Sequence, residues 1–323
     1  MTSTARSTFP TPVPITFVTV HRKPRVNDRS WPTSQSVVPF VIVQGVFASG
    51  RLHRDNARHS ASVNPSGRSE PLRRQGRPQG GNNHIVITFN ISQWRAWAPG
   101  LHTPADWRTW ADGESLSPGE SQVPDVSFLP AMQRRRLSPL ARMAFAVGWP
   151  LAEGYESLPL VYVSRHGETP RTFSILSDLA QGEPLSPTQF SLCVHNAVIG
   201  LWSILRGQTC EMTALAAAGD GFEHGIVEAA GLLDEGAPAV LLIVAEELPA
   251  AAYTPWIDDV PFSYALGLVL TPGEQWQLDL TSSSETAPGD LPHALSWLRA
   301  LLVDQARLTH PGKQRSWNWQ RLA

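Results

Sequence analysis

Residues 212–218 form a strand of small side chains that leads into Gly219, and Asp220, Gly221, Phe222 and Glu223 then open a helix. A strand-to-helix corner places a side chain over a helix N-terminus, where a thiol gives up its proton readily and becomes a nucleophile. Gly219 occupies that corner and has no side chain. Other candidate reacting groups are weaker. Cys193 and His195 are two residues apart, a spacing that does not bring side chains together on a helix, so Cys193 reads as an inert buried thiol near an apolar stripe. Asp258 and Asp259, between Pro255 and Pro261, read as a solvated turn rather than a metal pair. Trp94, Trp97, Trp107 and Trp110 read as cover for a core or interface rather than a ligand stack.

The elements that position the corner follow from periodicity. Residues 85–89 read as a first strand. Residues 94–110 read as an aromatic, loop-rich stretch. Leu140, Met143, Ala144 and Phe145 mark a short buried helix over 139–148, and 158–163 is an apolar strand. Ser186 and Pro187 have the types of an N-cap and first turn. One helix is expected from there, with Phe190, Val194, Ala197, Leu201, Trp202 and Leu205 on its apolar face and Gly207 as its C-cap. Asp220 and Glu223 have capping-box spacing. Phe222, Ile226, Ala229, Ala230 and Leu233 form the next buried stripe, which ends at Gly236. Residues 239–245 are apolar throughout, as in a strand covered on both faces. Strand, helix and apolar strand make a βαβ unit. Residues 264–270 and 276–280 are expected to form a hairpin around Thr271, Pro272 and Gly273. Asp290 is expected to cap a last helix carrying Leu295, Leu298, Leu301 and Leu302. The class is α/β, a mixed sheet with helices on both faces.

Composition limits the functions available. Among the 323 residues, net charge is −2 and there are two cysteines. Neither a nucleic-acid partner, nor membrane insertion, nor a disulfide framework follows, and a reducing cytoplasm is the expected compartment. Residues 1–83 are rich in Arg, Ser, Pro and Gly, a composition that buries too little apolar surface to order itself. They read as a disordered extension or as upstream sequence from a misplaced start, with one apolar run at 37–47 able to form a strand or two. Residues 84–323 form the domain proper.

Asn196, Gly200, Ser203, Ile204 and Gly207, followed by Ala217, Ala218 and Gly219, resemble in order and spacing the segment of β-ketoacyl synthases that leads to the catalytic cysteine. Gly219 falls on that cysteine when counted from Asn196 or back from Gly236. His224 and Glu247 fall on a helix histidine and a strand-end acidic residue of the family. The resemblance spans roughly residues 84–283 and implies a thiolase-like fold corresponding to the N-terminal half of a ketosynthase. It implies no cofactor and no metal. Without the cysteine, and without the two histidines that the family's second half supplies, it also implies no condensation activity by the chain alone. Ketosynthase-like subunits without the cysteine act as chain-length factors, paired with an active ketosynthase and served by an acyl carrier protein. A short form occurs in aryl-polyene and related type II polyketide or fatty-acid-type systems. On that precedent Met212, Ala214, Ala216, Ala217, Ala218 and Gly219 lie across the dimer axis from a partner strand, and Phe190, Val194 and Trp202 are candidates to line or block a tunnel.

Arg165, His166, Gly167, Glu168 and Thr169, after an apolar strand, also resemble the signature of histidine phosphatases, in which the histidine attacks phosphate and the arginine binds it. The rest of the chain does not follow that family. Its second histidine should sit in a His-Gly pair after a strand, whereas His224 and Gly225 lie inside an expected helix.

Overall fold

The computed structural model describes residues 41–44 (backbone only), 85–101, 103–113, 122–282, 289–312 and 315–322. In chain order the elements are β1 (Val41–Gln44), β2 (Ile85–Trp97), α1 (Pro104–Ala111), α2 (Ala131–Arg134), α3 (Pro139–Leu151), β3 (Leu160–Val163), α4 (Thr169–Ala180), α5 (Pro187–Ser191) and α6 (Ala197–Arg206). There follow β4 (Met212–Ala216), α7 (Gly221–Asp234), β5 (Val240–Glu246), β6 (Tyr264–Ser282), α8 (His293–Leu302), β7 (Arg307–Gly312) and β8 (Arg315–Arg321). Among the described residues one sheet runs β1-β4-β3-β5-β6-β8-β7, with β2 also paired to β6. The strands β1, β4, β3 and β5 are mutually parallel, and β6 is antiparallel to β5. The α/β class and the mixed sheet are as the sequence implies.

Two apolar layers hold this sheet. On one face Phe222, Ile226, Ala229 and Leu233 of α7 pack with α1, α8 and the Trp317 and Trp319 side chains of β8. On the other face α3 and α6 cover Tyr162, Ala214, Leu241 and Ile243. β5 is buried at every position, which explains its unbroken apolar run. α7 lies so close to the sheet that a Cβ on Gly225 would come within 2.7 Å of Val163 and 2.8 Å of Leu242. The helical stripe of α7 and its end near Gly236 match the sequence pattern.

Four expectations are corrected. The helix expected from Ser186 is two helices, α5 and α6, separated at residues 192–196. Ser186 does cap the first and Gly207, at φ 65°, caps the second. The apolar pattern therefore spans a break, and Phe190 and Val194 lie outside the buried face. The hairpin at Thr271, Pro272 and Gly273 is absent. β6 is one strand that pairs with β2 on both sides of a bulge, with Phe89 opposite Trp276 and Asn90 opposite Thr271. Asn90 Oδ1 accepts the Gln275 N–H at 2.9 Å, and Gln275 Oε1 accepts the Ile91 N–H at 3.2 Å, which pins the bulge. At this bulge β6 leaves β5 and continues alongside β8. The loop-rich stretch 94–110 instead contains the end of β2 and α1, which carries a full capping box between Thr103 and Asp106. Asp290 caps nothing, because α8 begins after Pro292 without a side-chain cap. Of the 1–83 segment, only residues 41–44 fall among the described residues.

The capping box expected at Asp220 and Glu223 is also replaced. Both carboxylates turn toward the C-terminal elements. Asp220 Oδ2 accepts from Arg315 Nη2 at 2.7 Å and Trp317 Nε1 at 3.2 Å. Glu223 is fully buried and accepts from His293 Nδ1 at 2.9 Å, His310 Nδ1 at 2.5 Å and Trp319 Nε1 at 3.2 Å. The helix on the corner is thereby fastened to α8, β7 and β8. Replacing Glu223 with Ala leaves three donors, two of them buried, without this acceptor. Chemical denaturation should show a loss of about 3–5 kcal/mol, the range for breaking one side of a buried charged cluster; a loss below 1 kcal/mol contradicts the clamp.

Candidate functional site

The carboxyl ends of the parallel strands β4, β3 and β5 share one edge of the sheet, where α/β folds place their crevices. Three corners meet there: residues 217–220 after β4, 164–168 after β3, and the 247–263 loop after β5.

The corner after β3 is a tightly bonded hub. Ser164, fully buried, donates from Oγ to Glu246 Oε2 at 3.2 Å and accepts the Gly167 N–H at 2.9 Å. Glu246, the last residue of β5, also accepts the backbone N–H groups of Arg165 and His166. Asp259 accepts from Arg165 Nη1 at 2.5 Å and His166 Nε2 at 2.8 Å. His195 Nε2, from the break between α5 and α6, bonds the Ser164 carbonyl at 2.7 Å. Glu168 accepts the Ser138 hydroxyl at 2.6 Å, and Ser138 caps α3. Asp259, read from sequence as a solvated turn, is thus a binding partner of this hub. Arg165 and His166 both spend their side chains on Asp259, so the geometry gives no support to a phosphate site.

The corner after β4 is the opposite. Ala218 and Gly219 are exposed. Gly219 has φ 78°, and a Cβ there would meet no atom within 4 Å. Space for a side chain is available, yet the left-handed backbone favours glycine. Met212 and Ala214 are buried, while Ala216 and Ala217 are half-buried. Asn196 stands at the N-cap of α6 without a side-chain cap bond, and Gly200 lies inside α6. His224, on α7, bonds the Asp220 carbonyl through Nδ1 at 2.8 Å and meets the Trp317 ring edge-on.

The three tunnel candidates do not share a face. Phe190 is 64% exposed and Val194 43%, whereas Trp202 is enclosed in the second core layer against Phe145 and Trp149. Trp202 is a core residue of this chain. Cys193, expected to be buried, is half-buried in the break after α5, and its thiol donates to the Phe190 carbonyl.

Sequence reading passed over the Glu223, His293 and His310 cluster. Their ligand atoms lie within 4.8 Å of one another. The two imidazoles stack at 4.2 Å with planes 18° apart. A metal ion must lie in the plane of each ring that binds it, and near-parallel stacked planes do not meet at the nitrogens. The arrangement is a shared carboxylate. Burial opposes ionisation of Glu223, but the hydrogen bonds and charge of the two histidines hold it well below the usual carboxylate range. Burial lowers the pKa of His310, whereas in His293 burial is outweighed by the Glu223 bond together with the Glu223 and Asp220 charges, and the pKa is raised.

Burial pushes Glu246 up to about 7 despite its three donors, and burial with the nearby Glu168 charge pushes Glu247 up to about 7. The folded chain therefore retains protons here that the unfolded chain, with carboxyls at 4.5, has released. This stabilisation is complete below pH 4.5 and is lost as pH rises through 7. Glu246→Gln removes one of these titrations. Its unfolding free energy should fall less than that of the parent between pH 5 and 8, by on the order of 2–3 kcal/mol; parallel pH profiles would contradict the assignment.

The family model for the β-ketoacyl synthase N-terminal domain matches residues 107–320. A solved structure described as a ketosynthase (ApeO) in complex with its chain length factor (ApeC) from Xenorhabdus doucetiae contains a similar chain. It is 32% identical, with 73% of this chain and all of that one covered and a TM-score of 0.66. The AntDE:AntF structure, a type II polyketide acyl-carrier protein in complex with its ketosynthase, shares the fold at 11% identity, 73% and 99% coverage and a TM-score of 0.52. A search of curated proteins gives no match. No helix among the described residues is long and apolar enough to cross a membrane. From the parallel strands ending at the Gly219 corner, the helix behind them and these matches, the chain belongs to the β-ketoacyl synthase family and has the thiolase-like fold of its N-terminal domain.

Proposed function

We propose that this chain is a non-catalytic, chain-length-determining subunit that pairs with an active ketosynthase in a carrier-protein-dependent pathway of the aryl-polyene or polyketide type. The observation that carries the reading is the corner at Gly219. It has the helix N-terminus and the open space that a nucleophile needs, and it has only hydrogen there. The similarity to a chain from a ketosynthase complexed with its chain length factor supports the same reading. Leu176, Leu179, Leu185, Phe190 and Val194 stand exposed on or beside the packed helices α4 and α5. Apolar surface of this kind marks a protein partner.

The same reading gives the carrier protein a foothold. Arg134, Arg135 and Arg136 form a basic turn at the end of α2 and make no ion pair among the described residues, and Arg142 bonds the carbonyl of that turn at 2.7 Å. In a chain of net charge −2 such a cluster suits an acidic partner surface.

The purified chain should condense no acyl and malonyl groups, and Gly219→Cys should not confer condensation. Co-expression should retrieve a full-length ketosynthase, and the pair should make a product whose length shifts when Phe190 or Val194 is enlarged. Condensation by the isolated chain, or unchanged product length in every such variant, would refute the proposal. Reversing Arg135 and Arg136 to Glu should reduce the carrier-dependent turnover of the pair about tenfold at low salt, with a smaller effect at high salt.

A further inference from the structure

Two imidazoles and one carboxylate meet at the start of α7 with an uneven supply of partners. Glu223 accepts from both Nδ1 atoms, at 2.9 Å from His293 and 2.5 Å from His310. An ionised carboxylate only accepts, so each Nδ1 carries a hydrogen and a further proton must bind at an Nε2. His293 keeps 13% side-chain exposure and His310 only 4%. The Nε2 of His310 is buried and has no hydrogen-bond partner. A proton placed there is a buried donor without an acceptor, on a ring whose centre is 4.2 Å from that of His293.

The surrounding charges do not relieve this. α7 supplies Glu223, Asp220 and His224, and Asp220 is paired with Arg315 of β8 and with His224. Farther along these elements, Arg299 of α8 lies over the Trp110 ring and Arg321 of β8 pairs with Asp304. Asp279 of β6 accepts from Asn318, Glu228 of α7 accepts from Thr213, and Arg307 of β7 is exposed. Glu223 leaves one negative charge, which one imidazolium cancels and two exceed.

We propose that the stacked pair is an acid-labile latch: with one proton shared between them the imidazoles hold Glu223, and a second proton releases β7 and β8 from α7. Release takes Trp319 from Glu223 and Trp317 from Asp220, and so uncovers Phe222 at the start of α7. The sign follows from burial, which holds His310 below its ordinary value of 6.5. The open form takes the second proton more readily than the closed form, so this contribution is present above pH 6.5 and is lost as pH falls through the lower value of the closed form. The first proton acts oppositely. His293 is raised above 6.5, so its contribution is lost on the alkaline side. The latch is tightest between the two.

The test is amide hydrogen exchange of the full chain at about pH 7 and about pH 5.5, corrected for the intrinsic pH dependence of exchange. Opening of residues 315–321 should increase by about tenfold on acidification, while residues 164–168, whose Glu246 favours acid, should not open further. His310→Asn keeps a donor for Glu223 and cannot titrate, and its β8 protection should not change with pH. His293→Asn keeps a donor and removes the stacked cation, and its β8 should open only at lower pH than the parent. Acid-insensitive β8 in the parent, or the same acid opening in His310→Asn, overturns the latch. If His310→Asn does not fold, His293→Asn decides: an unshifted opening pH overturns the proposal.

Discussion

A carboxylate with no solvent exposure, shared between two stacked imidazoles and an indole, governs the whole upper face of this chain. Glu223 belongs to the first turn of α7, and its partners come from α8, β7 and β8. Asp220, one turn earlier, takes an arginine and a second indole from the same hairpin. A buried carboxylate is costly unless its lone pairs are met, so these elements cannot separate from α7 without leaving a charge stranded. The start of α7 is therefore fixed in space, and with it the corner at Gly219. The paired histidines carry this arrangement at low net charge. The environment favours the proton on His293 and disfavours it on its stacked neighbour.

The two corners on the carboxyl edge divide the work between them. After β3, one serine and three acidic side chains bind loops from four parts of the chain into a rigid block. After β4, two exposed small residues face open space. A site that performs its own chemistry puts reacting groups where the backbone converges. Here the convergent groups are bonded to one another, and the corner at Gly219 carries no side chain.

Much of this was legible in the sequence, for physical reasons that are easy to name. β5 shows as an unbroken apolar run because both its faces are covered, and α7 shows as a 3.6-residue stripe because only one of its faces is. The Gly219 corner is legible because the small strand and the acidic helix start adjoin it. Long-range polar partners leave no such trace. Asp220 and Glu223 have capping-box spacing, and nothing local distinguishes a cap from a carboxylate reserved for His310, 87 residues away. Asp259 likewise looks solvated until Arg165, 94 residues earlier, reaches it. Pro272 and Gly273 read as a turn, although the pairing of β2 across them keeps β6 one strand. Phe190 and Val194 continue the helical period of α6 across a break that no single residue announces.

The distance between Glu223 and its histidines has a consequence for how the chain is made. Contacts this remote in sequence form late, because a long loop must close before they return any stabilisation. During synthesis α7 emerges well before α8, β7 and β8. In that interval Phe222 and Ile226 have no tryptophan lid, and the glutamate has no counter-ions. The nascent polypeptide therefore passes through a stage with a sticky, half-built layer, vulnerable to aggregation. Only when Trp317 and Trp319 dock does the helix take its final seat, and the corner at Gly219 with it. The last strands to leave the ribosome thus set the place of a corner made about a hundred residues earlier.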